Sequence, residues 1–237
     1  MGDRIIEKKA YRNRSGLFAD RFQAGEELAE MLAPEFAGRE DGLILAIPAG
    51  GVPVGLQLRD RLGLPLDVFL VRKPQIPGNT EAGFGAVTLD GDVLLNRDLL
   101  SALKLSQQDV QAQIDRVKGE LEERRKAFRG ERPPPEIAGK TVLLVDDGLA
   151  SGYTMLAAAQ AIKTKMARQT IVAVPTAPLA SVRHVLEAAD AVYSLHIQDR
   201  GGSFAVASAY RSWRDLERDE VARLLREADE SRRMGED

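Results

Sequence analysis

The chain has 237 residues, 44% of them hydrophobic, enough for a large core in one domain or in one domain that carries an insertion. A formal net charge of -3 argues against a nucleic-acid or other polyanion surface as the main business, so any cationic binding must be local. The absence of cysteine excludes disulfides, thiolate catalysis and zinc-thiolate sites; with no leader-like start and no run of about 18 apolar residues, the expectation is a cytoplasmic protein with no membrane span.

Residues 1–16 are polar and read as irregular. A helix is predicted from Asp20 to Leu32, with Phe22, Leu28, Met31 and Leu32 on one face and Pro34 as its stop. Residues 43–47 read as the first buried strand, followed by Pro48, Ala49, Gly50 and Gly51 and then by a helix over 52–62. A strand, a glycine pair and a helix make an anion cradle, because glycine lets backbone amides approach a phosphate closely; a tight turn without a ligand explains the same pair. The next strand, 66–71, runs into Arg72 and Lys73, placed at its carboxyl end either to meet an anion or to sit solvated. Residues 74–85 hold two prolines and three glycines and read as a long mobile loop. Beyond them, Asp90-Gly91 between two apolar runs predicts a β-hairpin. Residues 97–130 are predicted helical, with a cap at Ser106 and a stripe of Val110, Ile114, Val117 and Leu121. The basic run in LEERRKAFRGER is interspersed with glutamates, which favours a solvated face over polyanion binding. Residues 133–135, all proline, end the insertion, which is expected either to pack as a flap beside the mobile loop or to form a homodimer contact.

The most informative stretch is TVLLVDDGLASGYT, residues 141–154. Its apolar half reads as a strand covered on both faces, and ligands of parallel sheets bind at the carboxyl ends of strands. Asp146 and Asp147 fall at that end, where carboxylates accept hydrogen bonds from vicinal hydroxyls or hold them through a metal. The loop from Gly148 to Gly152 is small enough for a phosphate to lie against its backbone, Ser151 and Thr154 add hydroxyls, and the helix that follows favours an anion at its start. Three other readings are weaker. A P-loop nucleotide site needs GxxxxGK[ST] before a helix, and the GKT at 139–141 precedes a strand. A receiver-type phosphoacceptor pocket would place its acids near the chain start. A plain turn accounts for DDG but not for the whole string. Strands at 170–175 and 191–195 around a helix at 179–188 then predict a doubly wound, mainly parallel sheet. Residues 198–213 carry Arg200, Gly201, Gly202, Phe204, Tyr210 and Trp213, and a charged helix over 215–229 closes the chain. His184 and His196 lie in apolar stretches and read as structural.

The string VDDGLASGYT resembles the phosphoribosyl-pyrophosphate (PRPP) loop of type I phosphoribosyltransferases. FADRFQAGEELAEML, LAIPAGGVPVG, VFLVRKPQIPGNTEAGFGAV and the C-terminal region extend the resemblance, to a subgroup of predicted phosphoribosyltransferases, over nearly the whole chain. It implies an α/β fold with a helical insertion and a C-terminal hood: one domain over 1–237, inserted at 86–132, with the hood at 198–214. It also implies Mg²⁺-dependent transfer of the 5-phosphoribosyl group from PRPP to an unidentified nitrogenous base, releasing pyrophosphate, so that the partners are small molecules. On that resemblance Asp146 and Asp147 hold the ribose hydroxyls and Mg²⁺. Gly148, Leu149, Ala150, Ser151, Gly152, Tyr153 and Thr154 hold the 5-phosphate, and Ala49, Gly50 and Gly51 the pyrophosphate. Arg72 and Lys73 serve catalysis under a closing loop, and Phe204, Tyr210 and Trp213 either stack on the base or bury against the sheet edge. Two positions depart from the family pattern. Ala49 stands where an arginine is expected, which favours the alternative of a PRPP or nucleotide sensor with little turnover. Ala150 stands where oxopurine enzymes carry an aspartate, which argues against hypoxanthine or guanine as the acceptor.

Overall fold

The computed structural model describes residues 4–76, 79–201 and 203–235. The chain opens on a strand, β1 (Ile5–Glu7), where an irregular segment is predicted; three residues carry too little pattern to announce a strand, and the partner of Ile5 is the distant Val192. Helix α1 (Arg21–Phe36) is capped by Asp20, whose carboxylate accepts from the Gln23 amide. Its buried face holds Leu28 and Leu32 as predicted, but Ala24, Ala29 and Phe36 complete it and Phe22 is 39% exposed. Pro34 does not stop this helix. It lies in the last turn, which the fully buried Phe36 anchors, and the Ala37 amide still reaches the Ala33 carbonyl.

Strand β2 (Gly42–Ala46) leads to α2 (Gly51–Leu62), which ends on Gly63 in the left-handed conformation, φ 69°. Helices α1 and α2 approach so closely that a Cβ on Gly25 would sit 3.0 Å from the Val54 Cα. The single strand predicted over 66–71 is two strands. β3 (Leu66–Val68) extends the main sheet, the Phe69 amide makes the last bond to it at Ala46, and the chain then turns away into β4 (Val71–Arg72). The stretch predicted as a long mobile loop contains a two-stranded ribbon, β5 (Gln75–Ile76) with β6 (Asn79–Gly83); residues 77 and 78 of that expectation lie outside the described residues. The hairpin at Asp90-Gly91 joins β7 (Gly85–Thr88) to β8 (Val93–Leu95), and β4 adds to its other edge.

The predicted helical insertion is two helices, α3 (Arg97–Leu103) and α4 (Gln107–Phe128), separated where Lys104 takes φ 53°. Ser106 caps α4 in a reciprocal box with Asp109. Then come β9 (Thr141–Val145), α5 (Tyr153–Thr164), β10 (Gln169–Pro178), α6 (Leu179–Val185), β11 (Ala191–Gln198) and α7 (Arg218–Gly235).

The main sheet has the order β1-β11-β10-β9-β2-β3, with parallel pairing throughout. Its central strand β9 is apolar on both faces because both are covered. Val142 and Leu144 pack with α5 and α6, whereas Leu143 and Val145 pack with α1 and α2. Each fully buried leucine here stabilises the fold by about 1.5–3 kcal/mol. A third cluster joins Ile114, Val117, Leu121 and Phe128 of α4 to Val221 and Leu225 of α7, so the stripe of the insertion is buried within this chain.

Candidate functional site

β2 and β9 are neighbours in register, Ala46 opposite Val145, so the turns that follow them emerge side by side at one edge of the sheet. Their contact explains the glycine pair. A Cβ on Gly50 would lie 1.9 Å from the Asp147 Oδ2, and one on Gly51 would lie 2.6 Å from the Val145 carbonyl oxygen. The bond between Pro48 and Ala49 is cis. Of this turn's amides, Gly51 donates to Ile47 and Val52 to Ala49.

Asp147 is held from three sides. Its Oδ2 accepts from the Arg21 Nε at 2.7 Å, its main-chain oxygen accepts from the Tyr210 hydroxyl at 2.6 Å, and its amide donates to the Asp146 Oδ1 at 2.8 Å. Arg21 also donates to the Arg214 carbonyl and lies 3.9 Å over the Trp213 ring. Loss of hydration at the cavity floor, reinforced by the neighbouring charge of Asp147, pushes the Asp146 carboxyl well above the usual range. Desolvation also pushes Asp147 up while Arg21 pulls against it. The ion pair with Arg21 therefore makes Asp147 the more readily ionised member of the pair.

The loop after the acids turns through Gly152, φ 82°, into the start of α5. The Leu149 amide is taken by the Thr176 carbonyl, but among the described residues no hydrogen bond reaches the amides of Ser151, Gly152, Tyr153 or Thr154. Unpartnered donors at a helix start are complementary to an anion.

These groups face one cavity of about 620 Å³. Of the predicted residues, Ala49, Gly50, Arg72, Lys73, Asp146, Asp147, Gly148, Leu149, Ala150, Ser151, Gly152, Thr154 and Trp213 line it. Gly51, Tyr153, Phe204 and Tyr210 are not brought to it. Tyr153 points elsewhere, its hydroxyl accepting from the Asn96 side chain and its ring set edge-on to His184. Tyr210 is buried between Phe18 and Trp213 and supports Asp147 from behind. Gly202 lies outside the described residues. His196 is buried on β11 with its Nδ1 2.8 Å from the Thr176 hydroxyl. A second cavity of about 420 Å³, between α2 and α7, has its ionic groups paired, Arg59 with Asp60 and Arg132 with Asp229.

A model of the phosphoribosyl transferase domain matches residues 18–202. The chain belongs to that family. Two Mycobacterium tuberculosis proteins, from strains CDC 1551 / Oshkosh and ATCC 25618 / H37Rv, each named "Putative phosphoribosyl transferase", are 35% identical to it over 209 residues, 88% of this chain. The chain spans about half the length of these relatives, 46%. The crystal structure of TT1426 from Thermus thermophilus is 35% identical and covers 89% of this chain and 98% of its own, with a TM-score of 0.71. The span matched to the phosphoribosyl transferase family includes the acid pair, the loop after it, Arg21 and the inserted helices. Trp213 and α7 lie beyond it.

Two lining residues were not visible from the motifs. Arg21 gives no signal, since its carboxylate partner is 126 positions away. Arg124 gives one: in the stripe 110, 114, 117, 121, 124, 128 it stands where the helical spacing calls for an apolar side chain. It belongs to the run predicted as a solvated face, yet it is half-buried and lines the cavity, whereas its neighbour Arg125 pairs outward with Glu122.

Proposed function

We propose that this phosphoribosyl transferase family member moves the 5-phosphoribosyl group of PRPP to the nitrogen of a base, with Mg²⁺, and releases pyrophosphate. The observation that carries this reading is the convergence in one cavity of the Asp146–Asp147 pair, the unpartnered amides at the start of α5 and the cations Arg72 and Lys73. The amides and the hydroxyls of Ser151 and Thr154 would take the 5-phosphate, which anchors the ribose over the two carboxylates. The carboxylates would accept from its vicinal hydroxyls, and Arg21 fixes the rotamer in which Asp147 does so. Arg72 and Lys73 would face the leaving pyrophosphate.

Transfer breaks the bond from the anomeric carbon to pyrophosphate and forms one to nitrogen through an oxocarbenium-like state, so positioning and charge stabilisation are the protein's main contributions. Trp213, Met155 and Leu216 give the cavity an apolar wall that limits water. Among the described residues no third His, Cys, Asp or Glu joins the acid pair into a metal cluster. That donor set fits Mg²⁺, which keeps several waters and is held by one or two carboxylates plus substrate phosphates. When bound, the ion supplies positive charge against the leaving pyrophosphate.

Ala49 favours a second reading, a PRPP or nucleotide sensor with little turnover, because an apolar side chain lines the cavity where the family pattern leads us to expect a cation. No helix among the described residues is long and apolar enough to cross a membrane; the substrates proposed are small molecules. The deciding experiment is pyrophosphate release from PRPP with Mg²⁺ across a panel of bases, alongside calorimetric binding. Release with one base supports transfer, binding without release supports the sensor, and neither binding nor release refutes both.

A further inference from the structure

Arg124 sits at a boundary. It lines the site cavity and also a neighbouring cavity of about 470 Å³, where Arg72 and Arg218 stand among the carboxylates of Glu120, Glu123, Glu217 and Asp219. The two other arginines are paired. Arg72 holds the Glu120 carboxylate at 2.9 Å, and that same carboxylate accepts from Arg116 at 3.2 Å; Arg218 faces Glu123 at 3.5 Å. Arg124 has no hydrogen bond or ion pair among the described residues, and its one ring contact is Phe128 of its own helix, 6.0 Å away. Desolvation, and then the nearby charge of Arg72, make its own charge less favourable, with Glu120 opposing in part.

The helix holds it in place. Leu121, three residues before, and Phe128, four after, are buried in the cluster shared with α7, so this face of α4 is directed inward and the guanidinium is carried to the cavity wall. A half-buried guanidinium that no carboxylate pairs with directly, beside a second arginine, is complementary to a multiply charged anion, which it can grip through two parallel N–H donors. The turn at 48–51 offers no cation of its own.

We infer that Arg124 of the inserted helix is a further cation that receives the pyrophosphate end of PRPP beside Arg72 and Lys73, which makes the insertion a working wall of the site. This rests on the proposed function. It also gives Arg72 a different share: with Glu120 already on it, Arg72 contributes less net charge than its position at the end of β4 suggests.

The test is calorimetric titration of the full chain, with Mg²⁺ present, by PRPP, pyrophosphate and ribose 5-phosphate. Arg124→Gln should weaken pyrophosphate and PRPP by about tenfold or more, the size of one lost charge-assisted contact, and leave ribose 5-phosphate within about twofold. Arg124→Lys, which keeps charge and most of the buried stem, should retain part of the pyrophosphate affinity, and thermal melts establish that both variants fold. Unchanged pyrophosphate affinity in Arg124→Gln would overturn the inference, and so would an equal loss for ribose 5-phosphate. A wild-type chain that binds ribose 5-phosphate and PRPP while the variant is unaffected sinks only this inference; one that binds neither sinks the proposed function as well.

Discussion

Arg21→Leu removes the cation in contact with the Asp147 carboxylate under the cavity. The Arg21 and Asp147 side chains are 10% and 14% exposed, so solvent screens their ion pair little. Deleting one partner of a buried pair costs about 3–5 kcal/mol, because the remaining charge is desolvated and uncompensated. The donation to the Arg214 carbonyl and the stacking on Trp213 add about 1 kcal/mol each, and the leucine recovers a similar amount by burial. A net loss of about 3–5 kcal/mol corresponds, at roughly 2–4 °C per kcal/mol for a chain of this size, to a Tm lower by about 6–20 °C near neutral pH. The loss should shrink in acid. Both carboxyls already lie above their unfolded values, and losing Arg21 raises them further, so the variant's folded state binds more protons than the wild type's and its deficit grows as pH rises from about 4 towards neutrality. Scanning calorimetry at pH 5 and pH 7.5 measures both effects. Repeating the substitution in an Asp147→Asn background isolates the pair, since the cost of losing Arg21 should then drop by about 2 kcal/mol or more. A loss below about 1 kcal/mol, or an equal loss in both backgrounds, would refute the view that Arg21 neutralises this pair.

Asp146→Asn should abolish PRPP binding by calorimetry while leaving Tm at neutral pH unchanged or higher, because the raised Asp146 carboxyl is a charge that the fold disfavours; the Tm difference should vanish below about pH 4. Ala49→Arg should tighten PRPP by about tenfold or more, less the cost of ordering the side chain, and no change in a folded variant would remove Ala49 from the pyrophosphate end. Asp41, held by Arg39 and by the Thr141 hydroxyl, has its carboxyl drawn down to about 2, so its contribution is present above the unfolded value and lost as pH falls through about 2. The Tm gap between wild type and Asp41→Asn should therefore be constant above about pH 5 and narrow as pH falls towards 2; a gap as wide at pH 2 as at neutrality would contradict it.

The features legible in the sequence are those set by short-range physics. The apolar run of β9 ending in Asp146 and Asp147, the small loop and the start of α5 occupy consecutive residues, so periodicity and glycine placement suffice to order them. The Asp90-Gly91 hairpin and the Ser106 cap are equally local. What the tertiary structure decided depends on which distant segment covers which face. A period of 3.6 marks α4 as one-sided but does not say that α7 covers it or that the cation in its stripe, Arg124, reaches the site cavity. The pattern of 66–71 fits one strand, and only the hairpin's competing edge divides it between two sheets. Gly50 reads as a phosphate turn, but the space it leaves is filled by the Asp147 carboxylate, and that carboxylate is aimed by an arginine 126 residues earlier. Pairings over such separations are set by how the whole sheet closes, because the energy that selects them comes from burial shared among β2, β9 and α1 and belongs to none of those segments alone.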